Sequence, residues 1–159
     1  MEKFVDVILP LPLHKYFTYS LPEEIAARFR HIVEFGCGTG SYSRILLHTL
    51  QPETLLLNDL CREMEECVGE LCSVPTAEPP KEATEVDVCF LPGDAESLDF
   101  PKETDLITSC STLQWFSNPE AFFLRCHRAL TQDGILAFTT FGTENMSQIR
   151  HLTGHGLDY

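Results

Sequence analysis

The chain has 159 residues, a length that fits one domain, and its 43% hydrophobic content is enough for a packed core, which excludes wholesale disorder. The formal net charge is −13, from 24 acidic and 11 basic residues. Because phosphate binding needs clustered lysine and arginine, this balance argues against a nucleic-acid-binding surface.

Cysteine usage and hydropathy predict the compartment. The seven cysteines include no Cys-x-x-Cys pair and form no zinc pattern with the histidines, so we predict no metal site. Scattered thiols at apolar positions indicate a reducing, cytoplasmic location. No apolar run approaches membrane-spanning length, and the apolar stretch 5–13 is interrupted by Asp6 and two prolines, so we predict neither a membrane segment nor a signal peptide.

Residues 1–30 differ from the rest and are predicted to form a strand-rich N-terminal extension. Two strand-like runs, 4–9 and 16–19, precede a short helix that opens at Leu21-Pro22-Glu23-Glu24. The sequences of 4–13 and 17–22 resemble the extreme N-terminus of the primosomal replication helicase. No Walker-type loop occurs anywhere in the chain, so we expect an extension that packs on the following domain, with a junction of two unrelated sequences near Arg30 as the alternative.

The glycine-rich stretch 31–40 is the centre of the predicted domain, which covers 31–159. A short apolar strand runs into Gly-Cys-Gly-Thr-Gly, and the helix Ser41–Leu50 follows. We expect Gly36 to turn the chain tightly, Gly38 to let a ligand approach the backbone, and Gly40 to let the next helix pack close to the strand. The helix dipole points at the same turn.

Strands and helices then alternate, which predicts an α/β fold with a mostly parallel sheet. Strands are expected at 54–57, 86–91, 105–109 and 135–141, helices at 62–71 and 119–130, a loop at 73–85 and a turn at Asp133-Gly134. The carboxyl ends of parallel strands hold the ligand in such sheets. The glycine turn, Asp59, Asp94 and the loop 110–115 all fall at that edge.

The glycine spacing decides between two ligand classes. It is Gly-x-Gly-x-Gly, with Glu34 two positions before the first glycine, and so departs from the dinucleotide fingerprint. Asp59, 23 positions after Gly36, has the spacing of an acid that binds a ribose hydroxyl. Carboxylates at the pocket favour a cationic ligand over a pyrophosphate.

This pattern resembles the first motif of class I S-adenosylmethionine-dependent methyltransferases, which implies their Rossmann-like sheet and S-adenosylmethionine as the cofactor. By the resemblance, Glu34 and the turn Gly36, Cys37, Gly38 and Gly40 hold the methionine end. Asp59 and Leu60 hold the ribose, Asp94 and Ala95 the adenine, and Ser109 lies near the sulfonium. We interpret the thiols of Cys37 and Cys110 as small packing groups rather than nucleophiles.

Three segments narrow the family. The sequences of 93–98, 113–116 and 137–141 resemble the malonyl-acyl carrier protein O-methyltransferases of biotin synthesis, over residues 31–157. That implies O-methylation of the free carboxyl of a malonyl thioester, on acyl carrier protein or coenzyme A. Gln114 and Trp115 are the candidate substrate residues; a buried structural role for Trp115 is the alternative. No residue is assigned as a catalytic base, since a carboxylate acceptor is already ionised.

The same resemblance leaves parts of the family pattern unmatched. The family has helices ahead of the glycine motif, continues its sheet past the fifth strand, and uses an arginine there for the malonyl carboxylate. In this sequence Arg150 is the arginine nearest to that position, so we expect the substrate-binding half of the active site to be incomplete. We also expect the fifth strand to form an exposed edge of the sheet. A related methyltransferase of small acids and a cofactor-binding fragment without turnover stay open as alternatives.

Overall fold

The structure is a computed structural model that describes residues 23–73, 86–142, 145 and 147–154. The predicted strands at 4–9 and 16–19, the first two residues of the predicted helix opening at 21–24, and all but the first residue of the loop expected at 73–85 lie outside the described residues.

The described elements alternate along the chain as predicted. In order they are α1 (Glu23–Ala26), β1 (His31–Phe35), α2 (Ser41–Leu50), β2 (Thr54–Asp59), α3 (Met64–Ser73), β3 (Asp87–Pro92), β4 (Thr104–Cys110), a 3-10 turn (Leu113–Trp115), α4 (Pro119–Ala129), β5 (Leu130–Thr139) and α5 (Ser147–Thr153). None of the described helices has the length and apolar character needed to cross a bilayer.

The five strands form one sheet in the order β3-β2-β1-β4-β5, and every neighbouring pair is parallel. The first strand lies at the centre, where Ile32 is opposite Leu55 on one side and Leu106 on the other. The strand order reverses at β1, and ligands bind at the carboxyl ends of such a sheet. Within the described chain β5 is an outer strand, as predicted.

Each face of the sheet carries its own core, because side chains alternate along a strand. On one face, Ile32, Leu55 and Val88 pack against Leu46 of α2 and Val68 of α3. The other face is aromatic. Phe122 of α4 is fully buried, with its ring centroid 4.8 Å from that of Phe35, 4.7 Å from Phe116 and 6.1 Å from Phe100.

Helix α4 begins as its sequence predicts. Pro119 occupies the first turn, and the Asn118 side chain accepts a hydrogen bond from the Ala121 N–H at 3.1 Å. Both features satisfy or remove donors that a helix N-terminus leaves unpaired. The helix is therefore fixed at its start, just after the loop that follows β4.

One expectation for the last third of the chain was wrong, and one element there was not predicted. Asp133-Gly134 is not a turn into the strand but lies within β5, where Leu130 is opposite Thr104 and Ile135 is opposite Leu106, so the intervening residues form a bulge. A Cβ on Gly134 would lie 2.9 Å from the Thr104 carbonyl oxygen, so the glycine serves a close strand approach. Helix α5 lies in a tail for which no element was predicted.

Candidate cofactor site

The three glycines of the turn have different neighbours, although all adopt positive φ (67° at Gly36, 52° at Gly38 and 76° at Gly40). A Cβ on Gly36 would lie 2.1 Å from Thr112 Oγ1. A Cβ on Gly38 would have no atom within 4 Å. Gly36 thus admits the loop after β4, and Gly38 presents bare backbone to open space.

Gly40 corrects one prediction. A Cβ there would lie 2.9 Å from Val68 Cγ1 and 3.3 Å from Leu71 Cδ1, both in α3. The glycine therefore permits the close approach of α3 to the start of α2, rather than the approach of α2 to its own strand.

Asp59 joins the glycine turn to the end of β2. Its Oδ2 accepts a hydrogen bond from the Gly38 N–H at 2.8 Å, and its Oδ1 accepts one from the Cys61 N–H at 2.9 Å. A carboxylate oxygen has two lone pairs, so each keeps capacity for a ligand hydroxyl. Leu60, next along the chain, is 77% exposed at the same edge.

Asn58 connects β2 to β3 and so places Asp94. Its buried Nδ2 donates to the carbonyl oxygens of Leu91 and Gly93, both at 2.9 Å. Asp94 then caps its own loop, since its Oδ1 accepts from the Glu96 N–H at 2.9 Å. Ala95 is buried beside it. The predicted adenine residues therefore lie at the same sheet edge as Asp59, whose carbonyl accepts from the Gly93 N–H at 2.9 Å.

Glu34 is an ionisable group in the core. Its side chain is 1% exposed, and burial raises its pKa to about 7, with a further rise from the Asp59 carboxylate. The nearby Ser43 hydroxyl lowers the pKa. Glu34 Oε2 and Ser43 Oγ both lack a hydrogen-bond partner. Such atoms are costly unless a ligand or water reaches them.

Ser109 lies near the end of β4, which flanks β1 on the side opposite β2. It is 2% exposed, and its Oγ also lacks a hydrogen-bond partner. One residue before it, the Thr108 hydroxyl bonds the Tyr42 hydroxyl of α2 at 2.9 Å. Burial raises the pKa of Tyr42 to about 12, so this phenol stays neutral at physiological pH.

The loop after β4 holds the two candidate substrate residues in different ways. Gln114 is half-buried, with Nε2 donating to the Ser111 carbonyl at 2.5 Å and Oε1 accepting from the Thr140 hydroxyl at 3.4 Å. Trp115 is 68% exposed, so it is not a buried structural tryptophan. Its indole is available to a partner at the edge of the site.

Burial raises the pKa of the Cys37 thiol to about 12, with smaller contributions from Glu34 and Asp59. The thiol is therefore protonated, which agrees with a packing role rather than a nucleophilic one. Among the residues that the structure describes, no group of three or more His, Cys, Asp or Glu side chains is arranged to hold a metal ion.

Sequence reasoning missed several residues that build this site. Asn58 has a recognisable signal, a polar residue at the end of an apolar strand, which must find partners when buried. Thr112 and Glu96 have none, because their partners are distant in sequence: Thr112 Oγ1 bonds the Gly36 carbonyl at 3.4 Å, and the Glu96 carboxylate accepts from the N–H groups of Ser117 (2.8 Å) and Asn118 (2.6 Å).

A recess of about 330 Å³ lies away from these residues, at the amino ends of the strands. It is lined by His31, Thr54, Asp87 and Thr104, among others. None of the predicted cofactor or substrate residues lines it; they lie at the opposite edge, where the strands have their carboxyl ends.

Comparison with known families shows which family has this arrangement of residues. The family model described as "Methyltransferase domain" matches residues 33–138, which include the glycine turn, Asp59, Asp94 and Ser109. The chain belongs to this methyltransferase domain family. Family and fold together imply S-adenosylmethionine as its cofactor.

Similar proteins carry a more specific name. The chain is 83% identical over 141 residues to the malonyl-[acyl-carrier protein] O-methyltransferase of Bacteroides helcogenes, covering 89% of this chain and 52% of the relative. The protein of the same name from Bacteroides thetaiotaomicron is 52% identical over 139 residues, covering 87% of this chain and 49% of the relative. The chain thus spans about half the length of these curated relatives.

Solved structures agree with the fold. A Mesorhizobium loti S-adenosylmethionine-dependent methyltransferase has a TM-score of 0.59 at 24% identity, covering 79% of this chain and 51% of that one. The YcgJ protein of Bacillus subtilis has a TM-score of 0.54 at 26% identity, covering 72% and 46%. The predicted α/β class with a Rossmann-like parallel sheet is confirmed.

The residues at this edge fit S-adenosylmethionine chemically. Two buried oxygens without partners, Glu34 Oε2 and Ser109 Oγ, stand at the ends of neighbouring strands. Gly38 leaves the turn open, and Asp59 retains acceptor capacity. A ligand with a cationic end and a ribose finds acceptors for both parts here.

Proposed function

We propose that this protein is a methyltransferase that esterifies the free carboxyl group of a malonyl thioester carried by acyl carrier protein or coenzyme A, in biotin synthesis. The observation that carries the proposal is the 83% identity, over most of the chain, with a protein named malonyl-[acyl-carrier protein] O-methyltransferase. The site described above supports it, because its cofactor residues agree with that chemistry.

Each predicted cofactor residue has a proposed task. Glu34 and the turn Gly36, Cys37, Gly38 and Gly40 receive the methionine end, whose positive charge favours the ionised form of the Glu34 carboxyl group. Asp59 and Leu60 receive the ribose. Asp94 and Ala95 receive the adenine, and Ser109 lies beside the sulfonium. When bound, S-adenosylmethionine supplies an electrophilic methyl group.

The acceptor explains why no general base is assigned. A malonyl carboxylate is ionised near neutral pH and needs no deprotonation. The protein has to exclude water and hold the carboxylate oxygen in line with the methyl carbon, which is catalysis by orientation. We propose Trp115 as the residue that contacts the acyl group, since its exposed indole belongs to the loop that contacts the glycine turn.

The sequence predictions for organisation and location carry over as proposals. Residues 1–30 form a strand-rich extension that packs on the domain 31–159, and the contacts of Ala26 and Phe29 with the core support this. The reaction takes place in the cytoplasm, a reducing compartment that suits seven scattered thiols at largely apolar positions of the sequence.

An assay with labelled S-adenosylmethionine and malonyl-acyl carrier protein tests the proposal. We expect the full chain to transfer label to the malonyl carboxyl and not to acetyl-acyl carrier protein, which has no free carboxyl group. Calorimetric titration with S-adenosylmethionine runs alongside. Binding without transfer would favour a cofactor-binding fragment, and transfer to free small acids in place of the malonyl carrier would favour a related carboxyl methyltransferase.

A further inference from the structure

The segment 111–115, here called the β4 loop, begins with an unusual backbone conformation. Ser111 has φ 60°, in the left-handed region that residues other than glycine rarely adopt. The cost is roughly 1–2 kcal/mol for a residue with a Cβ. Such a conformation persists only where surrounding contacts enforce it, and it is typical of functional sites.

Contacts on both sides of Ser111 enforce it. Its N–H donates to the Thr139 carbonyl at 3.0 Å and lies 3.2 Å from the Thr139 hydroxyl oxygen. Its carbonyl accepts from Gln114 Nε2 at 2.5 Å, and Gln114 Oε1 accepts from the Thr140 hydroxyl at 3.4 Å. The Gln114 amide thus connects Ser111 to Thr140, the residue that follows β5.

The course of the β4 loop matters to the cofactor site because the loop leaves β4 after Cys110, next to Ser109, and crosses to the glycine turn. Ser109 Oγ is buried without a partner. Thr112 places its Oγ1 3.4 Å from the Gly36 carbonyl and occupies the space that a Cβ on Gly36 would take. A change at Ser111 would therefore displace the contact between the two walls of the proposed site.

We propose that Gln114 is a positioning residue that holds Ser111 in its left-handed conformation and so keeps the β4 loop in the arrangement that binds S-adenosylmethionine. The inference rests on the proposed function. It replaces direct substrate contact as the role of Gln114, because both ends of its amide are already engaged within the protein. Gln114 acts through Ser111 and touches no reacting atom.

The expected effect on affinity follows from the population of the binding arrangement. When only a fraction of the molecules holds the competent conformation, the apparent Kd rises by the inverse of that fraction. Loss of about 1 kcal/mol of stabilisation, the combined contribution of the two Gln114 hydrogen bonds, raises the apparent Kd about fivefold once the loop is mostly displaced.

The test compares Gln114→Met with the unchanged full chain. Methionine keeps the length of the side chain and removes both hydrogen bonds. We expect the calorimetric Kd for S-adenosylmethionine to rise about fivefold. Trp115 is the single tryptophan of the chain and lies in the β4 loop, so its fluorescence anisotropy should fall in the free variant. Gln132→Met, an exposed glutamine in the amino half of β5, is the matched control and should change neither value.

A rescue separates positioning from general packing. Glycine adopts positive φ without strain, so position 111 no longer needs Gln114 once it is a glycine. The double variant Ser111→Gly, Gln114→Met should therefore have a Kd less than about twofold above that of Ser111→Gly alone. If Gln114→Met does not fold, Thr140→Val, which removes one exposed hydroxyl, should raise the Kd about twofold in its place.

The outcomes are distinguishable. No binding by the unchanged chain would overturn the proposed function together with this inference. Two results would overturn this inference alone, provided that the unchanged chain binds S-adenosylmethionine. One is an identical Kd in Gln114→Met; the other is an equal rise in Kd whether or not Ser111→Gly is also present. If Thr140→Val is used instead, an unaltered Kd together with an unaltered Trp115 anisotropy would also overturn this inference.

Discussion

At the residue scale, the site is built on carboxyl groups in contrasting environments. Asp59 is surrounded by backbone N–H groups, whereas Glu34 is buried next to a hydroxyl group with which it forms no hydrogen bond. Burial and the Asp59 charge together hold the Glu34 pKa near neutrality, at about 7. A small change in the surroundings, such as the arrival of a cation, is therefore enough to change its protonation state.

Glu34 should make the stability of the protein depend on pH. Its pKa is raised in the folded state from 4.5 to about 7, so the folded chain holds a proton that the unfolded chain has released over that range. The stability contribution is present below pH 4.5 and is lost as pH rises through about 7. The free energy of unfolding, relative to Glu34→Gln, should fall by up to about 3 kcal/mol over this interval.

Urea denaturation of both proteins at several pH values measures this difference. Glutamine does not titrate, so the contribution of the other carboxyl groups cancels in the comparison. A constant difference between pH 4.5 and 8 would show that Glu34 has an ordinary pKa in the folded protein. A difference that rises with pH would show the opposite sign of shift.

Asp59→Ala should weaken S-adenosylmethionine binding at least tenfold. The change removes the proposed ribose acceptor and leaves the N–H groups of Gly38 and Cys61 without their partner. Calorimetric Kd values give the result. Asp133→Asn, an exposed position in the amino half of β5, is the control and should bind as the unchanged chain does. Equal affinity in Asp59→Ala would remove the ribose assignment.

At the element scale, backbone and side-chain contacts across the carboxyl edge fix the loops that follow the strands. The glycine turn contacts the β4 loop through Thr112 and the end of β2 through Asp59. Glu96, in the loop after β3, binds the two N–H groups that precede α4. Each loop is therefore held by a neighbour from another strand, which preorganises the edge for a ligand.

The glycine turn offers a matched pair of substitutions. Gly36→Ala should destabilise the fold by more than about 2 kcal/mol, because it adds backbone strain and a clash with Thr112. Gly38→Ala should cost only the strain, about 1 kcal/mol, since its surroundings are open, yet it should weaken S-adenosylmethionine binding more. Thermal unfolding and calorimetry measure the two effects, and the reverse ranking of stability would contradict the assigned contacts.

At the scale of the whole molecule, charge limits the partners. The net charge of −13 opposes association with polyanions such as DNA. Residues 1–30 resemble the N-terminus of a helicase that binds DNA 3′ ends, so DNA binding by this chain is the property to test. We expect the full chain to retain no 3′-ended oligonucleotide in a mobility-shift experiment at physiological salt. Retention that depends on a free 3′ end would show that residues 1–30 carry a DNA-binding function.

The sequence alone determined the alternation of strands and helices along the chain and the parallel sheet, and it predicted the edge of the sheet that carries the candidate cofactor site. These follow from local patterns: apolar runs for buried strands, glycine spacing for the turn, and an acid at the end of the next strand. Asp59 and the glycine turn are close together, as predicted, because parallel strands end at the same edge. The bulge in β5 was not predictable locally, since Gly134 is needed only for its approach to Thr104.

Only the tertiary structure decided which loop contacts which, because those contacts join residues far apart in sequence. The Thr112 contact with Gly36, the Glu96 contact with the start of α4 and the packing of Gly40 against α3 have no local pattern. The same holds for the two ends of the Gln114 amide, which turn a predicted substrate residue into a proposed positioning residue. Burial, and with it the near-neutral pKa of Glu34, is likewise a property of the folded packing and not of the sequence around it.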